Sequence, residues 1–377
     1  MHSIHEILEI AINRQASDLI LKAGSIPSIR INGGLSKLDL PIMTADGIHQ
    51  FALEVLFSAA RDRLIRLPDS DEIGADTERI ETEMHALRQG RELNAGFSVG
   101  HLVRIRAHLF LEHGAICIAL RLLLWRAPTL DMLGLPQVYK RLVQQPRGLI
   151  VVSSPAGMGK TTTLAALVNE IDRRGELCVI TLEDPVEYLF AECQSIIHQR
   201  ELGQDTASFA SALTSLARQN PDVVVIGDLK DEEHTEAAVR LATRGALVLA
   251  TLQAGSITDA VSEIIGRFAP ATRTACCHML AESLLAVTTQ MLVPCSEHSG
   301  RVAATEVLTN SQAVKARLRQ GESWDFAPFI REGAEQGMNT MNQALEHLCR
   351  SEAISCETAV EFARDPAELT QLLKHTR

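Results

Sequence analysis

Leu149-Ile150-Val151-Val152-Ser153-Ser154-Pro155-Ala156-Gly157-Met158-Gly159-Lys160-Thr161-Thr162 is the stretch on which the fold turns. Its first residues form a continuous apolar run, the pattern of a strand buried on both faces of a parallel sheet. Its end opens an Ala-rich amphipathic segment, continuing to Gly175, that reads as a helix. Between them lies G-x-x-x-x-G-K-[ST] with one departure, Ser154 in place of the first glycine. Such a loop wraps backbone N–H groups around phosphate oxygens at a helix N-terminus. Gly157 and Gly159 permit the close approach and the unusual dihedrals. Lys160 neutralises the β- and γ-phosphates, and Thr161 offers its hydroxyl to Mg²⁺. Ser154, Pro155, Ala156, Gly157, Met158, Gly159, Lys160, Thr161 and Thr162 are therefore expected to hold ATP, provided Ser154 keeps dihedrals open to an L-residue. The competing reading is a plain strand–loop–helix turn. A Gly-Lys-Thr match alone is common; its place between a buried strand and a helix gives it weight.

Outward from the loop the alternation continues. Leu177–Glu183, Asp222–Leu229 and Ala246–Gln253 read as further buried strands, and Ser208–Asn220 as a helix. Alternating strands and helices with right-handed crossovers predict a doubly wound parallel sheet over residues 148–273. Residues 274–377 read as mostly helical, with one strand at Arg301–Leu308. Ligands of open α/β sheets sit beyond the carboxyl ends of the strands. Two runs end there in acids, Glu183-Asp184-Pro185 and Gly227-Asp228. Glu183 and Asp228 are candidates to orient the attacking water and, for Asp228, to hold Mg²⁺. Strand ends also meet solvent and carry acids for that reason alone.

Residues 1–125 read as a separate α+β domain. A helix (Ile4–Arg14) precedes strands in Asp18–Gly24 and Ile26–Gly34. Val103–Leu111 and Ala115–Trp125 pair as a hairpin around His113-Gly114. The acidic stretch Asp69–Gln89 reads as a solvated surface helix or an insertion. Residues 126–147, carrying Pro128 and Pro136, read as an interdomain linker.

The bulk properties bound these readings. A chain of 377 residues suits two domains. With 46% hydrophobic but only 4% aromatic residues, its cores must be largely aliphatic. No apolar run reaches the ~18 residues of a membrane span, and the first residues lack a signal peptide's apolar core. A cytoplasmic protein is expected. The net charge of −11 argues against an extended nucleic-acid surface. Eight scattered cysteines without a C-x-x-C pair read as reduced thiols, not a zinc site.

Ser154–Leu167, Thr181–Tyr188, Gln199–Thr206, Pro221–Asp231 and Gly337–Leu345, together with Ala16–Gly34, resemble the type IV pilus retraction ATPases of the PilT and PilU kind. The likeness covers nearly the whole chain outside residues 69–88, and Glu352–Lys374 looks closer to the PilU side. It implies a PAS-like N-terminal domain followed by a RecA-like P-loop domain with a mostly parallel sheet. It also implies a hexameric ring, homomeric or mixed with a related ATPase. The ring would lie at the cytoplasmic face of the inner membrane, act on a platform protein there, and depolymerise a pilus. By position, Lys160 and Thr161 match the family's Walker A lysine and hydroxyl, and Glu183 its catalytic glutamate. Arg104, Arg106 and Arg121 fall where the N-terminal domain supplies arginines to the nucleotide phosphates; the plainer reading is strand-exposed arginine.

Several positions depart from the family pattern. Its G-E-x-R reads Gly227-Asp228-Leu229-Lys230 here. Aspartate is one methylene, about 1.5 Å, shorter than glutamate, and lysine replaces a planar fork by a point charge. Its T-G-H-L-V-x-x-T-L-H reads Arg244-Gly245-Ala246-Leu247-Val248-Leu249-Ala250-Thr251-Leu252-Gln253, without either histidine. Gln253 can still donate to and accept from a γ-phosphate or a water. The retraction motif A-I-R-x-L-I-R is matched only loosely by Ala313–Arg319. Two readings stay open: a working but slow ATPase motor, and a weakly active or non-hydrolysing paralogue that joins or regulates another ATPase's ring. Pilus-assembly and type II secretion ATPases usually carry a four-cysteine zinc module, and no such spacing occurs here.

Overall fold

Strand pairing sorts the chain into two sheets of opposite character. The computed structural model describes residues 4–14, 16–31, 34–65, 73–99, 103–124, 127–184, 186–190, 194–203, 205–296, 300–321 and 325–374. The chain divides into two units, residues 1–125 and 126–377.

The first unit opens with α1 (Ile4–Asn13), whose Ile4, Ile7, Leu8 and Ala11 form a buried stripe at helical spacing. Strands β1 (Asp18–Lys22), β2 (Ser28–Ile31) and β3 (Gly34–Lys37) follow, then helices α2 (Ala45–Ile65) and α3 (Ile73–Arg88). Strands β4 (Leu93–Val99), β5 (Val103–Glu112) and β6 (Ala115–Leu124) complete a sheet ordered β3-β2-β1-β6-β5-β4. Every pairing in it is antiparallel. The β5–β6 turn is made by His113 at φ 50° and Gly114 at φ 77°, the left-handed pair that a two-residue hairpin turn requires. Alternation along β5 buries Ile105, Ala107 and Leu109. Arg104 and Arg106 therefore lie on the other face, and Arg106 stands directly opposite Arg121 of β6.

The acidic stretch proves to be part of this unit's core. Ile80, Met84 and Leu87 of α3 are buried, while Glu78 and Glu81 stay in water. The acids dominate the composition and conceal an apolar stripe at i, i+4 and i+7. Residues 69–72 of that stretch lie outside the described residues.

The second unit begins with the segment expected to be a linker, which is packed instead. Tyr139 and Leu142 of α4 (Val138–Leu142), with Leu130 and Leu135 before it, are buried against Ile150 and Val152. Strand β7 (Gly148–Ser153) leads through the glycine loop into α5 (Lys160–Asp172). Then come β8 (Cys178–Glu183), β9 (Ile196–Glu201), α6 (Phe209–Gln219), β10 (Val223–Ile226), α7 (Glu232–Arg244) and β11 (Leu247–Leu252). After α8 (Ile257–Gly266) and α9 (Arg273–Ser283), the chain returns to the sheet with β12 (Leu284–Pro294) and β13 (Arg301–Thr309). The order is β13-β12-β7-β11-β10-β8-β9, parallel throughout except for β13. β7, β10 and β11 are buried at every position, with apolar clusters on both faces. That burial accounts for their uninterrupted apolar runs.

The region from 274 opens in α9 and is mostly helical as expected, but it holds a strand that was not: β12, eleven residues long, pairs directly with β7 beside the expected β13. Helices α10 (Gln312–Gln320), α11 (Ala327–Glu332), α12 (Met341–Arg350), α13 (Cys356–Glu361) and α14 (Pro366–Lys374) close the unit. The loose retraction-motif match lies in α10, where Val314 and Leu318 are buried.

Candidate nucleotide-binding site

The loop between β7 and α5 has the conformation that its glycines imply. Gly157 and Gly159 adopt φ 75° and 83°, where a side chain is strained. A Cβ on Gly159 would also stand 3.2 Å from Gln290 Nε2. Ser154 is not among the residues of positive φ, so the departure from glycine carries no backbone strain. Its amide donates to Leu252 O and its hydroxyl to Pro155 O. Neighbouring helices α6, α7 and α8 are each capped by a side chain, from Ser208, Asp231 and Ser256. α5 begins at Gly159 with no side-chain cap. Its first amides are thus left for an anion.

The loop is held from below by groups that sequence reading missed. Gln290 of β12 donates from Nε2 to Met158 O (2.5 Å) and accepts at Oε1 from Thr163 Oγ1 (2.8 Å). Ser153 Oγ donates to Thr288 O and lies 2.8 Å from Thr289 Oγ1. Tyr139 donates its hydroxyl to Thr288 Oγ1 at 2.7 Å. Thr288, Thr289 and Gln290 are all buried. Buried polar groups persist where each finds a partner, and here the partners belong to the phosphate loop and its strand. The available signal was the polar trio inside Leu284–Pro294.

Lys160 Nζ donates to the carbonyls of Ser154 (3.0 Å) and Pro155 (3.3 Å). Burial lowers its pKa, and the charge of Asp228 opposes that shift. Asp228 moves the other way: burial raises its pKa, against the pull of Lys160, Lys230, Arg267 and His234. Its Oδ1 is buried without a hydrogen-bond partner. Glu183, at the end of β8, accepts at Oε1 from Thr181 Oγ1 (2.6 Å) and Gln199 Nε2 (3.4 Å). Burial drives its pKa up against those two bonds. Lys230 does not turn to Asp228; it donates to Asp184 Oδ2 at 2.6 Å, with about half of each side chain in water. Thr162 Oγ1 lies 3.0 Å from the Tyr188 hydroxyl.

One cleft gathers Lys160, Thr161, Glu183, Asp228, Gln253 and His234 in its lining. Gln253 follows β11 directly and is exposed, whereas Glu183 is half-buried. Arg104, Arg106 and Arg121 belong to the first unit, on the sheet face opposite the buried Ile105, Ala107 and Leu109. The donor set suits ATP with Mg²⁺. The buried Asp228 Oδ1 is an oxygen lacking a partner, in the cleft that Thr161 also lines. Among the described residues no group of three His, Cys, Asp or Glu side chains could hold a metal by itself. Mg²⁺ commonly binds through one or two protein oxygens and the phosphates it accompanies.

The family model of the type II/IV secretion system proteins matches residues 77–355. The chain is 31% identical to the type IV pilus ATPase PilU of Pseudomonas aeruginosa over 370 residues, 98% of this chain and 91% of that one. It is 30% identical to the type IV pilus retraction ATPase PilT of the same organism, covering 96% and 98% of the two. Among solved structures, the pilus retraction motor PilT with bound ADP superimposes with a TM-score of 0.80 at 32% identity, over 98% of this chain and all of that one.

Proposed function

The chain belongs to the type II/IV secretion system protein family, among the type IV pilus retraction ATPases, and on that premise we propose that it is an ATP-hydrolysing ring motor of pilus retraction. The observation that carries this is the convergence of a phosphate loop and two strand-end carboxylates on one cleft. In this reading the amides at Gly157–Thr161 and the Lys160 ammonium hold the β- and γ-phosphates. Lys160 must leave the carbonyls of Ser154 and Pro155 to do so, and its burial makes the exchange for phosphate favourable. Thr161 and Asp228 hold Mg²⁺, which supplies charge neutralisation at the phosphate oxygens. Glu183 orients the attacking water, and its raised affinity for a proton suits it to accept one. Gln253 contacts the γ-phosphate edge, and Arg104, Arg106 and Arg121 serve the phosphates from the N-terminal domain. The ring is hexameric and works through an inner-membrane platform protein. In this reading the ring attaches to that membrane peripherally, through the platform protein; among the described residues no helix is long and apolar enough to cross a membrane.

The second reading, a weakly hydrolysing subunit in a mixed ring, is favoured by one feature: Lys230 is engaged by Asp184 and not by Asp228. Steady-state ATP hydrolysis by the purified protein separates the two. A motor hydrolyses ATP, and Lys160→Ala or Glu183→Gln lowers the rate by ~10³-fold. Intact ATP binding without turnover in the parent protein would leave the regulatory subunit.

A further inference from the structure

Helix α7 brings into the cleft a histidine that none of the roles above uses. His234 Nδ1 lies 2.6 Å from Asp231 Oδ1, and the same oxygen accepts the His234 backbone N–H at 3.0 Å. The ring stacks on Phe209, with centroids 3.7 Å apart and planes 19° from parallel. Both rings line the cleft that Asp228 and Glu183 line. A helix cap needs only the backbone N–H and the carboxylate. The imidazole is surplus to that purpose, and no hydrogen bond joins its second nitrogen to a described residue. With Nδ1–H given to Asp231, a neutral ring keeps its lone pair on Nε2. Asp228 Oδ1, in the same cleft, also lacks a hydrogen-bond partner. Both acceptors line the same cleft; Asp228 Oδ1 is the one assigned to Mg²⁺, which leaves Nε2 as an acceptor that a water molecule satisfies.

We infer that His234 is a water-positioning residue of the ATP cleft, its Nε2 accepting a hydrogen bond from the water that attacks the γ-phosphate. Asp231 sets the tautomer and Phe209 fixes the plane of the ring. This rests on the ATPase reading. In the step itself the water oxygen bonds to the γ-phosphorus. The bond from phosphorus to the β–γ bridging oxygen breaks, and its electron pair leaves with ADP. One water proton stays on inorganic phosphate and the other passes by way of Glu183 to solvent, so His234 ends as it began.

The test compares kcat and KM for Mg-ATP in the full chain, His234→Phe and His234→Ala. Phenylalanine keeps a ring on Phe209 and removes only the nitrogens. The expected result is kcat down by ~10²-fold in His234→Phe with KM little changed. Imidazole added to His234→Ala should restore part of the lost turnover. Wild-type turnover retained in His234→Phe, or a loss confined to KM, overturns the inference alone. A parent protein that binds ATP without hydrolysing it overturns the ATPase reading, and this inference with it. Should His234→Phe fail to fold, the imidazole arm decides: no rescue of a folded His234→Ala defeats the proposal.

Discussion

On the loop side of the cleft, the groups that fix Met158 and Thr163 come from one buried residue, Gln290, bonded at 2.5 and 2.8 Å. On the strand-end side, the residue after Asp228 and Leu229 is a lysine whose ion pair with Asp184 stands about half in water. A buried, doubly used amide has no alternative partner if its bonds are cut. An exposed ion pair exchanges freely for water. The phosphate-binding half is thus rigid by construction. The half that must respond to the γ-phosphate is held loosely, as expected of elements that move during turnover. Glu183 is the exception on that side, a half-buried acid held by Thr181 and Gln199.

The largest effect is expected where the rigid half is cut. Gln290→Leu keeps the volume but leaves Met158 O and Thr163 Oγ1 without their partner, at a cost of about 2–3 kcal/mol. Urea unfolding of the second unit should show it, accompanied by weaker ATP binding. A cost under about 1 kcal/mol would mean that β12 does not secure the loop, and the contrast between the halves would fail.

Glu183→Gln sharpens the comparison through pH. Burial raises the Glu183 pKa above 4.5. The folded state therefore binds its proton more readily than the unfolded chain does. The stability this supplies is complete below pH 4.5 and is lost as pH rises through the raised value. At neutral pH that contribution is diminished, and the penalty on the buried charge opposes folding. Glutamine keeps an oxygen for Thr181 and removes the charge. The variant should lose turnover yet gain about 1 kcal/mol at neutral pH, the trade expected of a functional site. Thermal unfolding across pH 4–8 checks it: the gain must shrink toward the acid end, and a gain independent of pH would deny that burial of the charge is its source.

The same contrast explains what the sequence disclosed. β7, β8, β10 and β11 were legible because strands covered on both faces read as continuous apolar runs. β12 was not, since Thr288-Thr289-Gln290 interrupts its run, and those polar residues are buried only because the phosphate loop needs partners there. α3 was misjudged for a related reason: three buried residues among many acids set its place, and composition outweighs a stripe that narrow. Residues 126–147 looked like a linker because two prolines mark turns, yet Tyr139 locks that segment to Thr288. In the cleft, Lys160 and Thr161 were read from the loop motif and Glu183 and Asp228 from strand-end logic. His234 and Gln290 did not, because a histidine in a helix's first turn and a mid-strand glutamine have no spacing rule.

The smallest effect should come from Lys230→Ala. Its partner Asp184 is 50% exposed and Lys230 is 47% exposed, so water replaces each as the other leaves. Stability should change by less than about 0.5 kcal/mol in chemical unfolding. Turnover is a separate matter, because the charge of Lys230 also helps to hold Asp228 ionised against its burial. Removing it should raise the Asp228 pKa further and shift the acid limb of the ATPase rate profile upward in pH, leaving the high-pH rate nearly intact. A large loss of stability instead would place Lys230 among the rigid supports and erase the distinction between the two halves. An unchanged acid limb would show that Asp184 screens the lysine so fully that Asp228 does not feel it, and the strand-end half would then be looser still.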